Sequence, residues 1–399
     1  MGSVLQEAIA SVRKAQAAYC HFITPNDVGA TGAHQSGFTV PAVAYSMFFD
    51  TPGHKGEVKD HFIKIRWQGD FTTDSRAIYY GRLSRNEYRM TRFGRGFPFL
   101  KNDKVGCLLV VARHSEDDYD AFVFETEDDI DDFMSVFNLT FEDNNKFIDV
   151  NGNRPPEDSY DRAIEEFVDG CSAFPDTKTM SSFAREAYAV AFGSADAVND
   201  PDNTLQMWFD AEYRLFMAIE QKLNLDILAK PFESMAAFVA RANTVLNSRK
   251  TRAGKSLEHH LAAIFAANKL YFEEQVVTEK KKRPDFVFPN GKCYHHFEFP
   301  SDRLTILGAK TTCRDRWSQV AYESERADFK YLFTTQPGMT IDNLKGLEVL
   351  NVGVVAPKKN IELFPKEFQA KIWSLAKFVS MVKEQQAGIP KAFLHLLPV

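Results

Sequence analysis

No apolar run in this 399-residue sequence approaches the roughly 20 residues that cross a bilayer as a helix, which argues against a membrane-spanning protein. The start, MGSVLQEAIASVRKAQ, has no signal-peptide core. Cysteine is scarce: Cys20, Cys107, Cys171, Cys293 and Cys313 are an odd number at irregular spacings. That favours reduced thiols in a cytoplasm over a disulfide framework. No Cys-x-x-Cys accompanies His259, His260, His295 or His296, and adjacent histidines point to different sides of a helix or strand, so a structural zinc is not expected. Internal repeats and low-complexity segments are missing. So is a positive net charge: at −6, the balance argues at first against a nucleic-acid partner.

What is present qualifies that last point. Acid is concentrated in Glu116 to Asp132 and again in Asp158 to Asp169. Basic residues cluster separately, in Arg82 to Arg95 (RLSRNEYRMTRFGR), Arg249 to Lys255 (RKTRAGK) and Lys280 to Arg283 (KKKR). A single charge run is usually a solvated face. Three basic clusters on an acidic chain suit a polyanion. With 44% hydrophobic residues, 35 of all residues being Phe, the chain has material for two or three packed domains.

Up to about residue 150, short runs such as FIKIRWQ, RAIYYG, CLLVVARH and DAFVFET alternate with Gly, Pro, Asn and Asp, which predicts a mostly-β domain. NGNRPPEDSYD (151–161) reads as linker, so the expected division is 1–155, a linker at 156–171 and a second domain at 172–399. In the second part, helical periodicity over Phe183 to Phe192, Leu205 to Leu223, Phe232 to Leu246 and Leu257 to Ala266 precedes strand-like runs at 285–288, 294–299, 305–310, 331–334 and 349–355. A helix over Phe368 to Val382 follows. Helices around a small mixed sheet make an α/β/α sandwich.

Alternation puts Asp285 and Val287 of RPDFVFP on one face of a strand. PNGK (289–292) carries a hairpin signature, with a return strand CYHHFEF expected after it, and a further strand ends at Lys310. A carboxylate and a lysine on nearby strands suit phosphodiester hydrolysis: the carboxylate holds Mg²⁺, which polarises the phosphate and acidifies a water, while the lysine stabilises developing charge. Metal-dependent nucleases usually carry a carboxylate two residues before such a lysine. Here that position is Gly308. Beyond Lys310, Thr312 and Asp315 have capping-box spacing, so a helix is predicted to present Arg314, Asp315 and Arg316. Arginines read guanine edges and a carboxylate accepts from cytosine N4, which makes Arg-Asp-Arg either a reader of G·C pairs or a surface charge cluster.

SRKTRAGKSLEHHL (248–261), KRPDFVFP (282–289), YHHFEFP (294–300) and KTTCRDRW (310–317) together resemble the EcoRII-type, or type IIE, restriction endonucleases of the PD-(D/E)XK superfamily. The resemblance extends through DVGATGAHQSG (27–37), RAIYY (76–80) and SRNEYRMTRFGRG (84–96), with the motifs in the same order over nearly the whole chain. It implies an N-terminal DNA-binding pseudobarrel that acts as an effector domain, followed by an α/β/α endonuclease domain with a mixed sheet.

It further implies that the missing acid has migrated to the helix after the lysine strand, where the match is Glu323, with Glu258 a further acid. A Glu323 on that helix would lie roughly 16 Å along it. The implied metal ligands are Asp285 and Glu323, the implied catalytic set Asp285, Lys310, Glu323 and Glu258. DNA contacts are implied for Lys250, Arg252, Arg314, Asp315 and Arg316, for His34, Arg85, Asn86, Glu87 and Arg89 on the effector arms, and for Phe209 at a flipped central base. Phe209 reads equally as a core residue, and Tyr88 departs from the Lys of the family. The activity implied is Mg²⁺-dependent hydrolysis of double-stranded DNA at a short G·C-flanked, CCWGG-like palindrome. A homodimer, two target copies, autoinhibition relieved by effector DNA and a cognate methyltransferase acting on the same sites go with it. The rival reading is a non-catalytic, sequence-specific DNA-binding regulator on the same fold.

Overall fold

The computed structural model describes residues 3–30, 37–82, 85–137, 139, 143–148, 159–228, 231–312, 317–327 and 330–398. The chain divides into two compact units. One comprises Met1–Asn153 with Gln336–Lys345 and Asn360–Ala370, and the other comprises Arg154–Thr335, Gly346–Lys359 and Lys371–Val399.

The first unit is built on β1 (Ala17–Phe22), β2 (Phe38–Val40), β3 (Val58–Trp67), β4 (Phe71–Tyr80), β5 (Glu87–Thr91), β6 (Leu108–Arg113) and β7 (Asp118–Phe124), with helices α1 (Ser3–Lys14) and α2 (Glu127–Val136). These strands form a barrel-like sheet in the order β1-β6-β7-β3-β4-β5-β2, antiparallel except for the β3–β7 pair. Two-residue alternation explains its two cores. Leu109 and Val111 of β6 face an aromatic interior with Trp67, Phe38, Phe93 and Tyr79, while Leu108, Val110 and Ala112 pack under Leu5, Ala8 and Val12 of α1 and Phe133 of α2. The acidic run is partly structural: Asp120 is buried beneath the Arg66 guanidinium and the Ser11 hydroxyl. Thr126 caps α2, whose first turn carries Glu127, Asp128 and Asp129.

The second unit opens with α3 (Ser159–Asp169), α4 (Thr177–Phe192), α5 (Pro201–Leu228) and α6 (Met235–Ala267). It continues through β8 (Glu273–Glu274), β9 (Phe286–Phe288), α7 (Gly291–His295), β10 (Thr305–Lys310), β11 (Lys330–Thr334), β12 (Val352–Val355) and α10 (Leu375–Ala387); α8 (Ile341–Val349) begins in, and α9 (Lys366–Gln369) lies in, the stretches counted with the first unit. Its mixed sheet has the order β12-β11-β10-β9-β8, with β10, β11 and β12 parallel and β8, β9 and β10 antiparallel. On one face, Phe286, Phe288, Leu307 and Phe333 meet Leu261 and Phe265 of α6 and Phe378 and Val382 of α10. On the other, Val287 and Ile306 meet Cys293, Tyr294 and Phe299. None of the described helices is long and apolar enough to cross a membrane.

Several expectations are corrected. The return strand expected over 293–299 is helix α7 and a loop, because the Asn290 side chain accepts the Cys293 N–H and caps a helix instead of turning a hairpin. β9 pairs directly with β10. The helices expected at 232–246 and 257–266 are one helix, α6, since no proline interrupts it and Gly254 alone, at about 1 kcal/mol, does not stop a 33-residue helix. The helix expected at 368–382 is split into α9 and α10: Trp373 bridges to Val355 in extended form, and Ser374 starts α10 by accepting the Lys377 N–H. Part of the expected linker 156–171 is helical, for α3 packs its Tyr160 against α5, donating to the Ala211 carbonyl at 2.7 Å.

The N-terminal arm begins at a buried clasp. Asp27 is fully enclosed and accepts, each at 2.7 Å, the N–H and hydroxyl of Thr24 on one oxygen and those of Thr39 on the other. His21 Nε2 lies 2.8 Å away. Burial opposes both charges, yet each partner outweighs it: the Asp27 carboxyl is held below its ordinary value and the His21 imidazole above its own. The depressed Asp27 contributes stability above an unfolded value of about 4, lost as pH falls through the folded value. The raised His21 contributes stability below about 6.5, lost as pH rises through its folded value. Asp27→Asn should therefore cost about 3–5 kcal/mol near pH 5 and progressively less towards pH 3 and pH 8. Chemical denaturation of both proteins across that range checks this, and a pH-independent difference would contradict the pairing.

Candidate active site

β10 is the middle strand of its sheet and is buried through Ala309; Lys310 is its first half-exposed residue. Because Phe286 pairs with Leu307 and Phe288 with Thr305, the residue before β9 arrives beside the end of β10. That residue is Asp285, 7% exposed. Its Oδ2 accepts the Ala309 N–H at 2.7 Å and the Lys310 ammonium at 3.0 Å, and its Oδ1 accepts the Gln275 amide at 3.0 Å. The expected meeting of Asp285 and Lys310 is thus a direct ion pair.

The position two residues before Lys310 is filled from elsewhere. A Cβ at Gly308 would stand 2.5 Å from Val320 Cγ2 and 3.3 Å from Glu323 Oε2. The Glu323 carboxylate lies in the space where a side chain at 308 would begin. It does not arrive on an α-helix, so the 16 Å rise expected for it is corrected. Trp317–Tyr322 form a 3₁₀ turn with Val320 fully buried, and the Glu323 N–H donates to the Val320 carbonyl at 3.2 Å. The hydroxyl of Thr278 then donates to the Glu323 carbonyl at 2.5 Å. Glu258 comes from α6, with Lys255 Nζ 2.7 Å from its Oε2.

The electrostatics couple these groups. Burial disfavours the Lys310 ammonium, but Asp285, with Glu323 and Glu258 beyond it, holds its pKa above the ordinary lysine value. Burial pushes the Glu323 carboxyl up to about 7 against the pull of Lys310. Burial also raises Glu258, opposed by its bond to Lys255 and reinforced by Asp285. Glu323 Oε2 is enclosed and has no hydrogen-bond partner among the described residues. An enclosed, unpartnered carboxylate oxygen beside a second carboxylate is the donor set of a hard cation. Among the described residues no group of three or more His, Cys, Asp or Glu is placed to hold a metal. Asp285 and Glu323 are thus the carboxylates present to hold a divalent cation, with water and phosphate to complete its shell.

The remaining candidates are placed differently. Arg252 is 7% exposed, with its guanidinium over the rings of Phe209, Tyr213 and Phe216 at 5.9, 5.2 and 5.0 Å, so it faces the bundle interior, not a surface. Phe209 is itself buried with Leu205, Leu257 and Leu261, as a core residue would be. Lys250 is half-buried on α6, and its neighbour Arg249 forms a fork on Glu220. His259 contacts Thr177 and His260 contacts Glu212, so the adjacent histidines do diverge. In the first unit Arg85 and Asn86 are exposed, with Arg85 over the Tyr80 ring and Asn86 accepting from the Tyr79 hydroxyl. Arg89 is 2% exposed, bonded to Glu87 at 3.2 Å and to the Gly37 carbonyl at 3.1 Å. Arg89, expected to contact DNA, is thus turned inward. His34, Arg314, Asp315 and Arg316 lie outside the described residues. Sequence reasoning missed Gln275 and Thr278, which touch the two acid-bearing segments; single polar residues in a short connection carry no pattern that would reveal them.

Residues 12–137 match the family described as restriction endonuclease EcoRII, N-terminal, and residues 216–379 match EcoRII C terminal. The type II restriction enzyme EcoRII of Escherichia coli is 30% identical over 405 residues, covering 93% of this chain and 95% of that protein. Among solved structures, metal-depleted Ecl18kI in complex with uncleaved DNA is similar with a TM-score of 0.44 at 18% identity, over 57% of this chain and 84% of that one. A PspGI–substrate DNA complex is similar with a TM-score of 0.44 at 12% identity, over 54% and 94%. Agreement through both halves, at near full length, is what common descent leaves: this chain belongs to the EcoRII family of type II restriction enzymes.

Proposed function

We propose that this chain cuts double-stranded DNA with Mg²⁺ at a short, G·C-flanked, CCWGG-like palindrome, using Asp285, Lys310, Glu323 and Glu258. The observation that carries the reading is the Glu323 carboxylate standing beside Gly308, within the field of Lys310 and Asp285. Asp285 and Glu323 would hold the cation, which when bound polarises the scissile phosphate. Lys310, kept protonated by its acids, sits where charge builds up on the phosphate as water adds to phosphorus and a phosphorus–oxygen bond to the sugar breaks. Glu258 supplies a third acid whose field reaches Lys310.

Readout is assigned to Arg314, Asp315 and Arg316 for the cut site, and to exposed Arg85 and Asn86, with His34, for an effector copy. Arg89, bonded to Glu87 and Gly37, holds that arm. The division is an effector domain at 1–155 and an endonuclease domain after it. A two-fold target implies a homodimer, and a methyltransferase must protect the host's own sites in the same cytoplasm. Incubating a sequenced plasmid with the protein in Mg²⁺ or in EDTA, then mapping the ends, tests this directly. A plasmid left intact in Mg²⁺ would favour a non-catalytic DNA-binding regulator.

Asp285→Ala and Lys310→Ala should each reduce cleavage by at least about 10²–10³-fold. Binding to cognate duplex in Ca²⁺ should persist, because both act on phosphate and not on bases; gel shifts alongside cleavage assays check the split. Gly308→Ala should also impair cleavage, since its methyl would collide with Val320 and displace Glu323, at a cost of about 1–3 kcal/mol in stability. Near wild-type rates in that variant would contradict the placement of the acid. Finally, a duplex carrying the target, added in trans, should accelerate cutting of single-site DNA if effector binding favours the active form. No stimulation over a range of duplex concentrations would rule out the autoinhibition. A truncation aimed at the same question should begin before Ser159, because α3 belongs to the helical bundle.

A further inference from the structure

An acid two residues before the lysine would be positioned by the strand itself. An acid delivered thirteen residues later is not, and its distance to Asp285 must be set by some other contact. The connection between β8 and β9 touches both acid-bearing segments. At one end, Gln275 donates its backbone N–H to the Asp285 carbonyl at 3.3 Å and its side-chain amide to Asp285 Oδ1 at 3.0 Å. At the other, Thr278 is 6% exposed. Its N–H closes the turn on the Lys282 carbonyl at 2.9 Å, and its hydroxyl donates to the Glu323 carbonyl at 2.5 Å. Glu279 then accepts the Glu325 N–H at 3.1 Å and the Tyr294 hydroxyl at 2.6 Å. Gln275, Lys280 and Lys281 have left-handed backbone, with φ of 56°, 56° and 60°. Side-chain-bearing residues hold that conformation where the surroundings impose it, often at functional sites.

We propose that the turn from Gln275 to Lys282 is a clamp that fixes the Glu323 carboxylate relative to that of Asp285, with Gln275 and Thr278 as positioning residues. This rests on the reading of Asp285, Lys310 and Glu323 as the cleavage site. Both are assigned a role through the acid-bearing segments and not through phosphate or cation. Gln275 holds one carboxylate by its outer oxygen, leaving the other oxygen to Lys310 and Ala309. Thr278 holds the backbone that carries the second. Because the two contacts lie three residues apart in one short turn, loosening either end alters the same spacing.

The test uses the full-length protein and substitutions that change little else. Thr278→Val removes the hydroxyl and keeps the shape, Thr278→Ser keeps the hydroxyl, and Gln275→Ala frees the other end. Single-turnover cleavage is measured against Mg²⁺ concentration, cognate duplex binding in Ca²⁺, thermal stability, and amide exchange of Glu323 to Ala327 in metal-free protein. Thr278→Val is expected to cut at least about tenfold more slowly, to need more Mg²⁺ for half-maximal rate and to exchange faster at 323–327, with duplex binding unchanged. Thr278→Ser should recover to within about twofold, and the double variant should be no worse than the poorer single one, as residues acting through one spacing are not additive. Wild-type rates and exchange in Thr278→Val, failure of Thr278→Ser to recover, or additive losses would each overturn the clamp. Wild-type protein run in parallel separates the two levels: an inactive wild type overturns the site reading and the clamp with it, whereas an active wild type with unaffected variants overturns the clamp alone.

Discussion

The space beside Gly308 has no room for a side chain at 308, because Val320 and the Glu323 carboxylate already border it. Much of the second unit's local architecture follows from having to bring that carboxylate in from outside the strand. Glycine is required at 308. The segment leading into Glu323 is the tight 3₁₀ turn over Trp317–Tyr322. The returning segment must then be tied down. Arg326 does so by donating to the carbonyls of Cys293, Tyr294, Phe297 and Phe299, while Ser324 meets the Tyr294 hydroxyl at 2.8 Å. The YHHFEFP motif is therefore a receiving surface made largely of backbone oxygens.

The same crowding sets the charge balance. Asp285, Glu323 and Glu258 all act on Lys310, with Lys255 paired to Glu258, and burial raises the carboxyls of Glu323 and Glu258 while the acids together hold Lys310 protonated. Such a cluster is short of positive charge, which is the condition a hard cation relieves. Elsewhere in the unit the fold buries charge on different terms. Arg252 is enclosed by three aromatic faces, and Glu212 by the hydroxyls of Ser181 and Ser256. Glu212 also lies 3.0 Å from the His260 ring, while its Oε1 and the Nε and Nη1 of Arg252 have no hydrogen-bond partner among the described residues.

The legible part of this molecule was the part governed by periodicity. Strand-like runs at 285–288 and 305–310 put Asp285 and Lys310 on nearby strands, although the return strand expected between them is helix α7, and the β-rich first unit was evident from its short runs. Glu323 could be named only through resemblance, because a 3₁₀ turn and a bend have no repeating signal. Asn290-Gly291 misled for a physical reason: the Asn side chain that favours a hairpin turn is equally good at capping a helix. Spacing also cannot say which face is inside. Arg85, Glu87 and Arg89 share a period, yet Arg89 is enclosed, and RKTRAGK reads as a basic patch although Arg252 points inward and Arg249 is already paired.

Helix α6 runs unbroken for 33 residues, about 50 Å at 1.5 Å per residue. Its first turns carry Met235, Phe238 and Val239 largely in solvent, while its last turns are wedged between the sheet and α5, with Glu258 some 23 residues from the exposed end. The exposed apolar end and Glu258 are therefore held about 35 Å apart along a single axis, a separation set by the helical rise alone.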